Sequence, residues 1–148
     1  MISLGSDHGG YELKEEIKKY LDEIGIEYKD CGTDSKERTD YPIFAERVAK
    51  SIQSKECDSG ILICKSGAGM TIVANKFKGI RAALGINEEV SRASKADDNI
   101  NVLVLPAQYI TLSVAIASIR AWIATEFKGG RYSERLQMIK EIEKDNMK

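Results

Sequence analysis

Apolar positions follow two rhythms along this chain. Residues 1–5, 61–64 and 102–105 are short, nearly unbroken apolar runs, the length and character of buried strands. Residues 26–31 and 81–84 are weaker runs and predict two more strands. Between them, Leu13, Ile17, Leu21 and Ile24 recur at helical spacing and mark one helix face, with Lys14, Glu15, Lys18, Lys19 and Asp22 on the other. Gly25 ends that helix. Residues 32–42 are polar and turn-rich, a loop closing on Asp40-Tyr41-Pro42. Ile43, Phe44, Val48 and Ile52 predict a second helix, and residues from about 69 to 76 a third. Asn87 caps a fourth, with Glu88 and Glu89 in its first turn and Asp97-Asp98-Asn99 at its close. Pro106 stops the fifth strand. Leu112, Ile116, Ile119 and Ile123 predict a fifth helix ending near Phe127, and Gly129-Gly130 breaks the chain. Leu136, Ile139 and Ile142 predict a last amphipathic helix.

Strands alternating with helices predict an α/β fold, a five-stranded parallel sheet covered on both faces. Ligands of such sheets bind beyond the strand carboxyl ends, near a topological switch point. Here those ends carry Ser6-Asp7-His8, the stretch from Cys64 to Gly69, Gly85 to Asn87, and Pro106 to Gln108. The first two are chemically the richest.

Composition narrows the class. The 148 residues suit one domain, and 43% hydrophobic with 30% charged residues is a globular balance. A formal net charge of −1 argues against nucleic acid or an anionic membrane as partner. No apolar run reaches the roughly 20 residues that span a bilayer, and the start of the chain does not read as a signal peptide. Three widely spaced cysteines without a C-x-x-C suit a reducing, cytoplasmic setting. His8 is the single histidine, which excludes a metal site built from several.

Cys64 has two readings: a small buried hydrophobe, or a base whose thiolate a following helix N-terminus stabilises. Ser66-Gly67-Ala68-Gly69 is neither a P-loop nor a dinucleotide fingerprint, but its glycines let backbone amides approach an anion. His8, beside Asp7 and a glycine pair, suits a donor to phosphate or hydroxyl. Arg131 and Arg135 share a helix face, either as solvated charge or as a two-pronged phosphate clamp. Cys31 and Cys57 read as structural.

Several stretches together resemble a known family. They are Gly5-Ser6-Asp7-His8-Gly9-Gly10-Tyr11-Glu12-Leu13-Lys14, Asp40-Tyr41-Pro42, Gly60-Ile61-Leu62-Ile63-Cys64, Gly67 to Met70 with Ala74-Asn75-Lys76, Gly79-Ile80-Arg81-Ala82-Ala83, and Glu126-Phe127-x-Gly129-Gly130-Arg131. In register along nearly the whole chain, they resemble ribose-5-phosphate isomerase type B, a family that includes galactose-6-phosphate isomerase subunits. The resemblance implies a Rossmann-like three-layer sandwich. It implies a homodimer or dimer of dimers with shared active sites, the C-terminal helix reaching the partner subunit. It also implies aldose–ketose isomerisation of a sugar phosphate through a cis-enediolate, with no metal and no cofactor. Cys64 matches the base that moves the proton, Ser66 an assisting hydroxyl, and the amides of Gly67, Ala68 and Gly69 the enediolate donors. Asp7, His8 and Tyr41 match sugar- and phosphate-binding positions, and Asp98 a sugar contact. Arg131 and Arg135 match the phosphate clamp.

Four positions depart from the family pattern. Asp97 stands where the ring-opening histidine is usual, and Tyr132 where a histidine follows Gly-Gly-Arg. Lys65 replaces a glycine beside Cys64, where it can meet the thiol, meet a substrate anion or simply point to solvent. Gln108 replaces an arginine. Asp97 is the remaining group at the ring-opening position, and an ionised carboxylate has no proton to give. A tetrose 4-phosphate, blocked at O4, needs no opener and stands beside ribose 5-phosphate as a substrate; the resemblance adds hexose 6-phosphates as a further alternative. A non-catalytic sugar-phosphate-binding module is the reading from another class.

Overall fold

The computed structural model describes residues 1–147. Strands β1 (Ile2–Ser6), β2 (Tyr28–Asp30), β3 (Ser59–Cys64), β4 (Ala82–Leu84) and β5 (Val102–Pro106) form one parallel sheet in the order β2-β1-β3-β5-β4. Helices α1 (Tyr11–Glu23), α2 (Tyr41–Gln53), α3 (Ala68–Ala74), α4 (Glu88–Asp98), α5 (Leu112–Ala124) and α6 (Arg131–Asn146) complete the order. Strands β1, β3 and β5 are largely apolar because both faces of the central sheet are buried. Leu4, Ile61, Ile63, Leu103 and Leu105 meet Ile17 and Leu21 of α1 and Ile119 and Trp122 of α5. Leu62, Val102 and Val104 face the other way, onto Phe44 and Val48 of α2 and Met70 of α3. The α/β three-layer arrangement is therefore as the alternation predicts.

The differences have local causes. Helix α2 begins at Tyr41, inside the predicted loop, because Pro42 suits the first helical turn, where its missing N–H costs nothing. Strand β2 keeps three residues at the sheet edge. Helix α5 stops at Ala124, short of Phe127. Helix α6 is amphipathic as predicted, yet it buries no residue within the chain, and Met138 and Ile142 are 62% and 60% exposed.

Lys14, expected on the charged outer face of α1, is wholly buried. Its Nζ donates to both oxygens of Asp30, at 2.7 and 2.6 Å, and Lys18 Nζ reaches the same carboxylate at 2.9 Å. Burial alone pushes the Asp30 carboxyl up, but Lys14 and Lys18 outweigh it and hold the group below the usual carboxylate range. Its stabilisation is present above the unfolded pKa and is lost as pH falls through the lower folded one. Asp30 also accepts the Gly32 N–H at 2.9 Å. Gly32 in turn accepts from Ser6 N–H, and Thr33 N–H donates to Ser6 O at 2.7 Å. This buried charge pair thus steadies the carboxyl end of β1. Asp30→Asn strands the Lys14 ammonium, and we expect a loss of about 3 kcal/mol in urea unfolding at neutral pH. An unshifted midpoint would remove the pair from the stability argument.

Candidate active site

From β1 the chain winds to β2 on one side, and β3 then joins β1 on the other. The switch point therefore lies between β1 and β3, where the 7–10 loop meets the 64–69 loop. Asp7 N–H donates to Ile63 O at 3.3 Å. A Cβ on Gly10 would lie 2.5 Å from Ile63 O, so glycine alone lets the first loop rest on β3. Asp7, 8% exposed, accepts the Gly10 N–H at 3.1 Å and so caps the short turn His8–Gly10. His8 is held by Thr39: its N–H donates to Thr39 Oγ1 at 3.0 Å, and its Nδ1 accepts the Thr39 N–H at 3.1 Å. That bond puts the neutral ring's proton on Nε2, making it a donor. Tyr41 closes the side of the crevice, its ring lying where a Cβ on Gly69 would collide.

Cys64 ends β3 and is 5% exposed. The chain turns at Gly67 with φ +79°, a conformation that favours glycine, and the Gly67 N–H donates to Cys64 Sγ at 3.1 Å. Ala68 N–H donates to Ser66 Oγ at 3.3 Å, and Thr71 Oγ1 braces the turn on Gly67 O at 2.8 Å. Burial pushes the thiol up; the Met70, Gly67 and Ser66 amides pull it down, while the Asp7 charge adds to the rise. The net direction is up. The expected activation by the helix N-terminus is corrected accordingly, since its donors are present but outweighed by desolvation. Lys65 is exposed at the rim, with its backbone opposite Gly9 and its carbonyl accepting the Gln108 N–H at 3.0 Å.

The remaining predicted residues lie at the other edge of the sheet. Helix α4 runs back from the carboxyl edge and delivers Asp97 and Asp98 just before β5 begins, where Gly60 N–H donates to Asn101 O. Roughly 15–20 Å of strand separates that edge from Cys64. Lys128 N–H donates to Ala96 O at 3.0 Å, which brings the start of α6 to the same place. Lys128 Nζ pairs with Asp97 Oδ1 at 2.7 Å. The Arg131 and Arg135 guanidiniums lie 5.3 and 5.2 Å from the Tyr132 ring centre, and Lys128 Nζ lies 4.8 Å from it. Asp98 is exposed beside a cavity lined by Arg81, Ile139 and Glu143.

The candidate residues thus fall into two groups. Asp7, His8, Tyr41, Cys64, Lys65, Ser66, Gly67, Ala68 and Gly69 gather at the carboxyl edge. Asp97, Asp98, Arg131 and Arg135 gather at the amino edge. A cavity of about 950 Å³ along the β2 edge, past Cys31 and Arg47, contains none of them. Sequence reasoning missed Thr39, which has no motif and lies 31 positions from His8. It also missed Lys128, whose pairing with Asp97 needs the α5–α6 turn.

The chain matches the Ribose/Galactose Isomerase family over residues 2–139. It is 42% identical to ribose-5-phosphate isomerase B of Escherichia coli over 142 residues, covering 96% of this chain and 95% of that one. Its fold is similar to that of ribose-5-phosphate isomerase B of Clostridium thermocellum, with a TM-score of 0.95, 44% identity and 97% of each chain covered. The Mycoplasma genitalium ribose-5-phosphate isomerase B, solved with bound ribulose-5-phosphate, has a TM-score of 0.93 at 35% identity, covering 98% of this chain and 97% of that one. Among the described residues, no helix is long and apolar enough to cross a membrane.

Proposed function

Because this chain belongs to the ribose/galactose isomerase family, we propose that it interconverts ribose 5-phosphate and ribulose 5-phosphate in the cytoplasm. The convergence of Cys64 with Asp7 and His8 across the β1–β3 switch point carries that reading. On the open-chain aldose, the Cys64 thiolate takes the proton from C2. The C2–H electron pair forms the C1–C2 double bond, and the carbonyl pair moves onto O1. The O2–H proton then passes to O1, the C1–C2 pair takes the thiol-held proton at C1, and O2 becomes the carbonyl. Charge develops on oxygen during this transfer, and donors fixed in advance lower its cost. Gly67 and Ala68 amides already serve Cys64 Sγ and Ser66 Oγ. The Gly69 amide, which neither atom takes, is then the loop's donor to the enediolate, with the Ser66 hydroxyl beside it. His8 Nε2–H, Asp7 and Tyr41 hold the sugar hydroxyls, and Lys65 faces the substrate from the rim. The scheme needs no metal and no cofactor.

The phosphate end comes from a second subunit. Arg131 and Arg135 lie too far from Cys64 to serve the same chain, so a homodimer, alone or paired into a dimer of dimers, completes each site. Asp97 and Asp98 enter with them. Unpartnered apolar side chains support this assembly at both edges: Ile43, Ile72, Ile86 and Tyr109 at the carboxyl edge, and Met138 and Ile142 on α6. Within it, residues 1–148 act as one isomerase domain.

A second reading rests on the Asp97–Lys128 pair. A carboxylate held by an ammonium accepts protons rather than donating them, which favours a substrate that needs no opening. Turnover measured across tetrose, pentose and hexose phosphates decides between them. We expect kcat/KM for ribose 5-phosphate to exceed that for erythrose 4-phosphate by at least about 10-fold, roughly the weight of one well-made contact. The reverse order would make the protein a tetrose-phosphate isomerase.

A further inference from the structure

The amino-edge cluster contains a group that the isomerisation scheme leaves idle. Tyr132 sits in the first turn of α6, half-exposed, with three cations around its ring: Lys128 at 4.8 Å, Arg135 at 5.2 Å and Arg131 at 5.3 Å from its centre. Lys128 also pairs with Asp97 at 2.7 Å, so one ammonium lies against both the carboxylate and the Tyr132 ring. The family resemblance puts ring opening at Asp97, and a carboxylate has no proton to give. Tyr132 is the neighbouring neutral group that carries one.

We propose that Tyr132 is the acid that protonates the ring oxygen when a cyclic sugar phosphate opens in the neighbouring subunit's site. The proposal rests on the shared-site reading, because Tyr132 is at the opposite edge from its own Cys64. In the step, the anomeric O1–H bond breaks and Asp97 takes the proton. The freed electron pair forms C1=O1, the C1–O4 bond breaks, and O4 takes the phenolic proton of Tyr132. A proton passed from Asp97 to the phenolate, through Lys128 or solvent, resets the pair, so the net change is one proton moved from O1 to O4.

The electrostatics favour this division of labour. The Arg131 guanidinium first, and the Lys128 ammonium after it, hold the Tyr132 phenol below the usual tyrosine range. The charged groups facing it are Lys128, Arg131 and Arg135, with Asp97 behind Lys128. Cations stabilise the phenolate that forms as the proton leaves. An acid whose pKa moves toward the working pH is also a better general acid. Tyrosine with its cationic cage thus replaces an imidazole, with the acid and base roles split between Tyr132 and Asp97.

Ring opening can be read apart from isomerisation, because the two anomers of ribose 5-phosphate exchange through the open chain. Magnetisation-exchange NMR at saturating ribose 5-phosphate, with Cys64→Ala protein, measures that exchange with no proton transfer at carbon. We expect Cys64→Ala to accelerate anomer exchange over buffer. Adding Tyr132→Phe should cut the enzymatic increment by about 100-fold, the scale of a lost general acid. Full acceleration in the double variant, or none with Cys64→Ala alone, overturns the proposal. A mixture of Cys64→Ala with Arg135→Ala subunits separates the two levels of failure. If that mixture regains isomerase turnover while Tyr132→Phe leaves anomer exchange intact, the assignment of Tyr132 falls and the shared site stands. If the mixture regains nothing, the shared site falls and the assignment with it.

Discussion

Replacing Cys64 by alanine lowers kcat for ribose 5-phosphate by about 1,000-fold or more, within the range for loss of a general base at carbon. Binding survives, because the groups that hold the substrate remain, and calorimetric affinity for ribulose 5-phosphate changes far less than turnover. A non-catalytic binding module would have no turnover to lose, so wild-type protein without isomerase activity ends the catalytic reading. Retained turnover in Cys64→Ala would move the base elsewhere. The pH dependence is signed by the same residue. Burial outweighs the loop amides and raises the Cys64 thiol, so at neutral pH a minority of sites hold thiolate. kcat/KM should climb through the neutral range and beyond, and the rate of Cys64 alkylation by iodoacetamide should climb alongside it. Stability moves the other way: an acid whose pKa folding raises favours the fold at low pH and withdraws that support as pH passes the folded value. A rate that is flat from pH 6 to 9 would contradict a thiol base of this kind.

Mixing two inactive variants restores activity. Cys64→Ala lacks the proposed base and Arg131→Ala/Arg135→Ala the proposed phosphate clamp, and each alone is expected to lose at least about 100-fold in kcat/KM. Cys64 lies at the carboxyl edge of the chain and Arg131 and Arg135 at its amino edge, so under the proposed shared site each complete site draws on two subunits. After unfolding and refolding together at equal concentration, half of the dimers are hybrids, each with one site free of both lesions. Recovery should therefore approach about a quarter of wild-type turnover for a random two-fold assembly. Sites complete within one chain would recover nothing, since no hybrid would then contain an intact one. A mixture no more active than its parents thus rejects the division of labour. The phosphate is remote from the bond changes at C1 and C2, so its binding energy orients the reacting end. The arginine variants should accordingly lose in both KM and kcat.

Much of the fold is legible in the sequence. The spacing of Leu13, Ile17, Leu21 and Ile24 reports one inward face: Ile17 and Leu21 are buried and Leu13 packs half-buried against them, while Ile24, just past the helix end, is exposed. The unbroken runs at residues 61–64 and 102–105 report burial on both faces, and they lie at the sheet centre. Asn87 was a cap by residue type, and its side chain accepts the Val90 N–H at 2.8 Å. Lys14 broke the same logic. Its charge argued for the surface, but an acidic partner 16 positions away removed the cost of burying it.

The site divided along the same line. Residue types at strand ends, together with the family pattern, named Cys64, Ser66, Asp7 and His8 in sequence, because glycine loops and strand ends are local signals. That these loops meet depends on β1 and β3 being neighbours, which no periodicity encodes. That Asp97, Arg131 and Arg135 lie a full strand length from Cys64 depends on helix α4 running back across the sheet. The direction of the thiol's shift also waited on the fold, because desolvation is set by what surrounds the sulfur in space. The chain by itself determined its elements, its sheet class and the chemical types at its loops, all properties of neighbours along the sequence. Only the tertiary structure decided that this chemistry is held as two separated halves, because strand order and helix direction arise from contacts between residues far apart in the chain.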